Sequence, residues 1–266
     1  MFRIMKMDLA AAMKSKTFWG SILACYILYL ASDFIIENDK VISVAQCMYE
    51  YLTGQRNDEN IISFYAVDCA AGSWVTLFAP VVSAFAFIPT FRDEMSSGYL
   101  RFRIPRVGKQ NYYIAKFLSC SLCGAFVFFL SYLLYVMTAL ICLPFQASQL
   151  QELVGDHVLF LLIIKILKCS IQFLCYGFFW GGFTIAFASF LRNKYLILCI
   201  PFMLKYIYSQ LLQIWLQDTD AFFQPDGLLF LFQDNATGKI LFHLGITILC
   251  FTGYLTIMNQ RRDCGE

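Results

Sequence analysis

Stretches of about 20 residues with almost no charge recur along this chain, and they narrow its fold more than any other feature. Six segments meet the roughly 17–25 apolar residues that a helix needs to cross a bilayer: 17–36, 74–91, 117–143, 158–190, 195–215 and 240–258. Backbone polar groups in hydrocarbon must be satisfied internally, so continuous apolar runs of this length are helices. The run 158–190 is too long to lie wholly within the membrane. Only 14% of the residues are charged, against roughly 25% in soluble domains. A water-soluble fold of this length would lack the polar residues to cover its surface. The expected fold class is an all-α integral membrane protein, a single transmembrane domain over 1–266 with six transmembrane helices. A net charge of +2 gives no reason to expect a nucleic-acid partner.

The charges between the runs set an orientation. Segments 1–16, 92–116, 191–194 and 259–266 carry 14 of the 20 Lys and Arg. Segments 37–73, 144–157 and 216–239 carry only Lys40, Arg56 and Lys239, but 12 of the 18 Asp and Glu. The first set is expected on the cytoplasmic side, which places both termini inside (N-in/C-in). Lys14 and Lys16 precede a run long enough to span, without a small-residue cleavage site, so no cleaved leader is expected.

Three pieces outside the spans have their own character. Residues 1–16 mix Met, Ile, Leu and Ala with Arg3, Lys6 and Lys14, as an amphipathic helix lying at the inner membrane surface does. Within 37–73, residues 41–52 suit a short helix. Within 216–239, the apolar island 227–232 is too short to span and suits a re-entrant or interfacial turn.

Several chemistries are missing from the sequence. It contains no G-x-x-x-x-G-K-[ST] phosphate loop, no H-E-x-x-H and no G-x-S-x-G. Its two histidines, His157 and His243, lie far apart in sequence. Cys120 and Cys123 form a C-x-x-C inside an apolar run, where cysteine acts as a small hydrophobe. Cys47 and Cys69 share a polar loop, and pairing between them is left open. No catalytic residue and no metal ligand is singled out.

The densest polar feature is the loop 92–116. Arg92, Asp93, Glu94 and Met95 follow the second span directly. Gly98, Tyr99, Leu100, Arg101 and Arg103 come next, and Pro105 and Gly108 then break the chain before a basic, aromatic start to the third span. The spacing predicts a short helix over 92–103, broken by Pro105 and projecting from the membrane, a shape that fits a groove on another protein. Glu94, Gly98, Leu100, Arg101, Pro105, Arg106, Tyr113 and Lys116 resemble the intracellular coupling segment of ABC-2 type transporter permeases. The six-span, N-in pattern and the basic amphipathic start extend that resemblance over the whole chain. One position departs from it: Tyr99 stands where threonine is frequent.

The resemblance implies a permease subunit that binds no cofactor itself, with ATP and magnesium on a separate ABC ATPase partner. It implies a second permease subunit, identical or related, a bacterial plasma membrane, and outward export of a peptide, lipid or hydrophobic compound. The segment from Arg92 to Arg103 would dock the ATPase, and the first and fifth helices would line the pathway. The alternative is a stand-alone secondary transporter or channel.

Charge inside a span is costly and marks function by default; counted back from Phe190, Lys165 and Lys168 fall beyond a hydrocarbon core of about 30 Å, which leaves Lys205 and Asp33 as the candidates. Lys205 lies roughly 15 Å into the fifth helix, near mid-membrane, one turn after Pro201. It is a pathway candidate, or else a structural pair or a snorkelling side chain. Asp33, roughly 24 Å into the first helix, is a pathway candidate or an interfacially solvated group. Gly177 and Gly181, with Gly182 beside them, have the GxxxG spacing of close helix packing, within the subunit or at a dimer seam.

Overall fold

The computed structural model describes residues 2–36, 40–54, 67, 70–96, 100–143, 158–191, 193–215, 223, 225–230 and 236–263. The N-terminal segment forms helix α1 (Phe2–Met13), and α2 (Lys16–Leu30) follows after a tight break. Ser15 makes that break. Its hydroxyl accepts from the Phe18 amide at 3.2 Å, capping α2, while Trp19 Nε1 donates back to the Met13 carbonyl at 2.9 Å.

The sequence predicts a first span running to residue 36, but the helix stops at Leu30. Residues Asp33–Ile36 form strand β1, paired antiparallel with β2 (Lys40–Ser43), with Asp33 opposite Ser43. The run of Phe34, Ile35, Ile36, Val41 and Ile42 carries the β-branched and aromatic side chains that favour a pleated strand. Apolar length alone does not distinguish the two states. Among the described residues the fold is therefore helical with one added β-hairpin. At 15 residues α2 is roughly 22 Å long, short of a hydrocarbon core of about 30 Å. Ser43 then caps α3 (Val44–Leu52) by accepting from the Gln46 amide at 3.2 Å, so the expected short helix begins at residue 44.

The longer helices are α4 (Ser73–Ser96), α5 (Leu100–Val107, short), α6 (Lys109–Cys142), α7 (Val158–Phe190), α8 (Lys194–Trp215) and α9 (Ala236–Asp263). A 3₁₀ turn, Pro225–Phe230, lies between α8 and α9. Five of these helices (α4, α6, α7, α8 and α9) are long and apolar enough to cross a bilayer, and the chain is a multi-pass membrane protein. The projecting loop differs from its sequence prediction. Arg92–Ser96 continue α4, and the short helix is Leu100–Val107 with Pro105 inside it. Pro105 removes the single amide that would reach the Arg101 carbonyl, and the helix runs on. The break falls at Gly108, whose φ of +88° suits glycine alone.

Helices α6 and α7 form the central pair. α2 packs on α4 and α6, α8 on α4 and α7, and α9 on α7 and α6. The central crossing brings backbone against backbone. A Cβ added at Gly124 would lie 2.5 Å from the Gly177 carbonyl oxygen, and one at Gly181 would lie 2.7 Å from that of Cys120. The Cys120 thiol donates to the Gly181 carbonyl at 3.4 Å, and Cys123 is buried on the same helix. The predicted small-residue strip thus packs within the chain, and Gly124 is the facing residue that the sequence reading missed.

Two apolar cores flank the crossing. One holds Tyr29, Tyr132, Tyr135 and Phe173 beside the hairpin. The other holds Phe91, Ile104, Tyr113, Phe117 and Tyr254, near the chain termini. We refer to these as the hairpin end and the termini end.

Gly177→Val should destabilise the protein by at least about 1–3 kcal/mol, because the Gly124 backbone has nowhere to move. Gly253→Val, where nothing lies within 4 Å of an added Cβ, should change stability by about 0.5 kcal/mol or less. Thermal unfolding of both variants in one detergent checks the contrast.

Candidate functional site

Each end of the bundle holds a buried lysine bound by carboxylates. At the termini end this is Lys116, in the second turn of α6. Its ammonium lies 2.6 Å from Glu94 Oε2, near the end of α4, and 3.2 Å from Asp8 Oδ2 on α1. The Tyr112 hydroxyl donates to the same Glu94 oxygen at 3.3 Å. The ring of Phe87 lies 5.3 Å from the ammonium, within cation–π range. Beside this cluster, Tyr113 donates to the Met258 carbonyl at 3.3 Å and Lys109 to the Asn259 carbonyl at 3.5 Å. Four elements, α1, α4, α6 and α9, are thereby tied at one level. A cleft of about 360 Å³ adjoins them, lined by Asp8, Ala12, Thr90, Asp93 and Lys116 among others.

At the hairpin end the lysine is Lys205 of α8. It contacts Asp226 Oδ1 at 2.9 Å and donates to the Thr76 carbonyl. Tyr176 of α7 donates to the same Asp226 oxygen at 2.8 Å and reaches the Thr76 carbonyl at 3.5 Å. The Trp180 ring lies 5.7 Å from the ammonium. Thr76 has a carbonyl to offer because Pro80, four residues on, has no amide to take it. The site is therefore built from the sequence upward. Proline opens the ladder of α4, and two donors from α7 and α8 close it again.

The predicted site residues are distributed as follows. Arg92, Asp93, Glu94 and Met95 form the last turns of α4, where Met95 packs against the termini-end core and Asp93 is exposed. Gly98 and Tyr99 lie outside the described residues, as do Cys69 and His157. Leu100, Arg101 and Arg103 stand on α5. Asp33 is in β1, not in a helix, and accepts from the Ser73 hydroxyl at 3.1 Å. Lys205 meets the first turn of α4, so its ammonium is level with the hairpin end of that helix and not with its middle. The pair is the structural partner that the sequence reading left open, and its carboxylate comes from beside the predicted apolar island. His243 is buried on α9, with Nδ1 2.7 Å from the Lys239 carbonyl oxygen.

Asp8, Asp226, Tyr176 and the Thr76 carbonyl were not singled out from sequence. Two of them left a trace. Ile4, Asp8 and Ala12 recur every four residues on one buried face of α1, so the acid sits on the apolar stripe. Pro80 marks a free carbonyl four residues earlier in any helix.

No family model, curated protein or solved structure matches the chain.

Lys116→Met should cost about 3–5 kcal/mol, because it removes the buried ammonium that lies between the Asp8 and Glu94 carboxylates. Adding Asp8→Asn to that variant should restore part of the loss, since one of the two stranded charges is removed. Denaturant unfolding of the single and double variants in detergent reads both effects.

Proposed function

We propose that this chain is the membrane-spanning subunit of an ABC-2 type transporter, driven by a separate ATPase that docks on the loop from Arg92 to Arg103. The observation that carries this reading is the Asp8–Lys116–Glu94 cluster. Glu94 and Lys116 both belong to the pattern by which the loop resembles a coupling segment, and they are held 2.6 Å apart. A push on the loop has a stiff route into α4 and α6 through that contact, and into α1 through Asp8.

In this reading the termini end is cytoplasmic, as the excess of Lys and Arg in its segments requires. Helix α2 is the first of six spans, its short length met by local thinning of the bilayer. The chain pairs with a second permease subunit and exports a peptide, lipid or hydrophobic compound across the bacterial plasma membrane. Lys205 and Asp33 remain its pathway candidates, both near the first turn of α4 and thus toward the outer end.

Affinity purification of the tagged chain from its own host is expected to bring down a P-loop ATPase in about one-to-one ratio, as for two permeases docking two ATPases. Arg101→Glu with Arg103→Glu should cut that recovery about tenfold or more while the chain still inserts, because the docking segment loses its positive charge and gains negative charge in its place. Transport by the purified chain with no ATPase present would sink the reading.

A further inference from the structure

The 3₁₀ turn Pro225–Phe230 has an unusual set of holders. Pro225, Gly227, Leu228 and Leu229 are buried, so the turn lies in the bundle and not over it. It packs on α7 and α9. Its polar attachment described above is Asp226, whose Oδ1 takes both Tyr176 of α7 and Lys205 of α8. Lys205 is in turn seated on the Thr76 carbonyl of α4. Three spanning helices therefore grip one six-residue turn through one carboxylate. Leu228 of the turn is also a wall of an apolar cavity of about 270 Å³, otherwise lined by residues such as Ala125 of α6, Phe178 and Phe179 of α7, and His243 and Thr247 of α9.

We propose that Pro225–Phe230 is a strap that walls one side of this half-open pocket, latched by the Lys205–Asp226 pair, and that it opens as a unit when that pair parts. The two halves of the latch are unequal. Lys205 keeps the Thr76 carbonyl after separation, because Pro80 leaves that oxygen no partner within α4. Asp226 is 21% exposed against 5% for Lys205, so the carboxylate is the less enclosed member of the pair. Opening moves the carboxylate and leaves the lysine in place. The strap needs no ATPase partner, so it stands or falls separately from the transporter reading.

Hydrogen exchange by mass spectrometry on the full chain in lipid nanodiscs tests the latch through the amides of residues 226–230. Lys205→Met and Asp226→Asn are each expected to speed exchange there about tenfold, through easier local opening. The double variant should lie within about twofold of the faster single, as for two residues acting as one pair. Pro80→Ala is the sharpest variant. It restores an amide that competes for the Thr76 carbonyl and removes a helix-interior proline, so α4 itself should be firmer. The latch nevertheless predicts about threefold faster exchange in the strap, because Lys205 loses part of its seat. Exchange unchanged within about twofold in both single variants, or slowed by Pro80→Ala, would overturn the proposal. Should Lys205→Met fail to fold, Pro80→Ala carries the test, since it keeps both members of the pair.

Discussion

Everything in this bundle is arranged around two helices that touch through their backbones. At the crossing of α6 and α7, glycines 124, 177 and 181 remove every side chain that would hold the axes apart. Lipid offers apolar side chains no hydrophobic reason to leave it, so helices associate in membranes by close packing and polar contact. A crossing this tight maximises the first. It also fixes the level at which both helices meet, and so the levels of everything else on them. Lys116 lies two turns to one side of Gly124 on α6, and Tyr176 is the immediate neighbour of Gly177 on α7. The two charged clusters inherit their positions from that one contact.

The clusters follow a shared logic. In each, a lysine on a spanning helix is neutralised by a carboxylate from a segment that does not span: Asp8 from α1 at one end, Asp226 from the 3₁₀ turn at the other. Buried ion pairs add little net stability, since desolvation offsets most of the attraction. They are, however, very sensitive to position, because either charge alone is costly in a low-dielectric interior. Each pair thus pins an accessory segment to the bundle in one register. Apolar contact would let such a short piece slide.

Spans and non-spans were legible in the sequence to different degrees. The helices α4, α6, α7, α8 and α9 could be read from apolar length alone, because lipid leaves a long apolar backbone no other state. The end of α2 could not, since Phe34, Ile35 and Ile36 are as apolar as a helix needs and as β-branched as a strand prefers. Glu94 and Lys116 were found through a family-like pattern, but their contact with Asp8 depends on how α1 folds back on α6, which no local spacing reports. Lys205 was found as a charge in an apolar run, while its partner lies 21 residues away behind a chain reversal. The glycine strip was visible on α7, and its counterpart was a single glycine on α6 with no spacing to mark it.

The two lysine clusters differ in a way that assigns them different mechanical roles. Lys116 is held by Asp8, which is 4% exposed, as well as by Glu94, which is 28% exposed. Loss of the Glu94 contact would leave the more enclosed Asp8 contact in place. Among the described residues Lys205 has one carboxylate, and that carboxylate is partly exposed. The termini end is therefore the more firmly tied of the two, with α1, α4 and α6 joined at one lysine. The hairpin end is tied by a single ion pair, and the Thr76 carbonyl freed by Pro80 gives Lys205 a second, uncharged contact. On the proposed transporter reading, a bundle that is rigid where the ATPase docks and yielding at the far end turns a displacement at one face into an opening at the other.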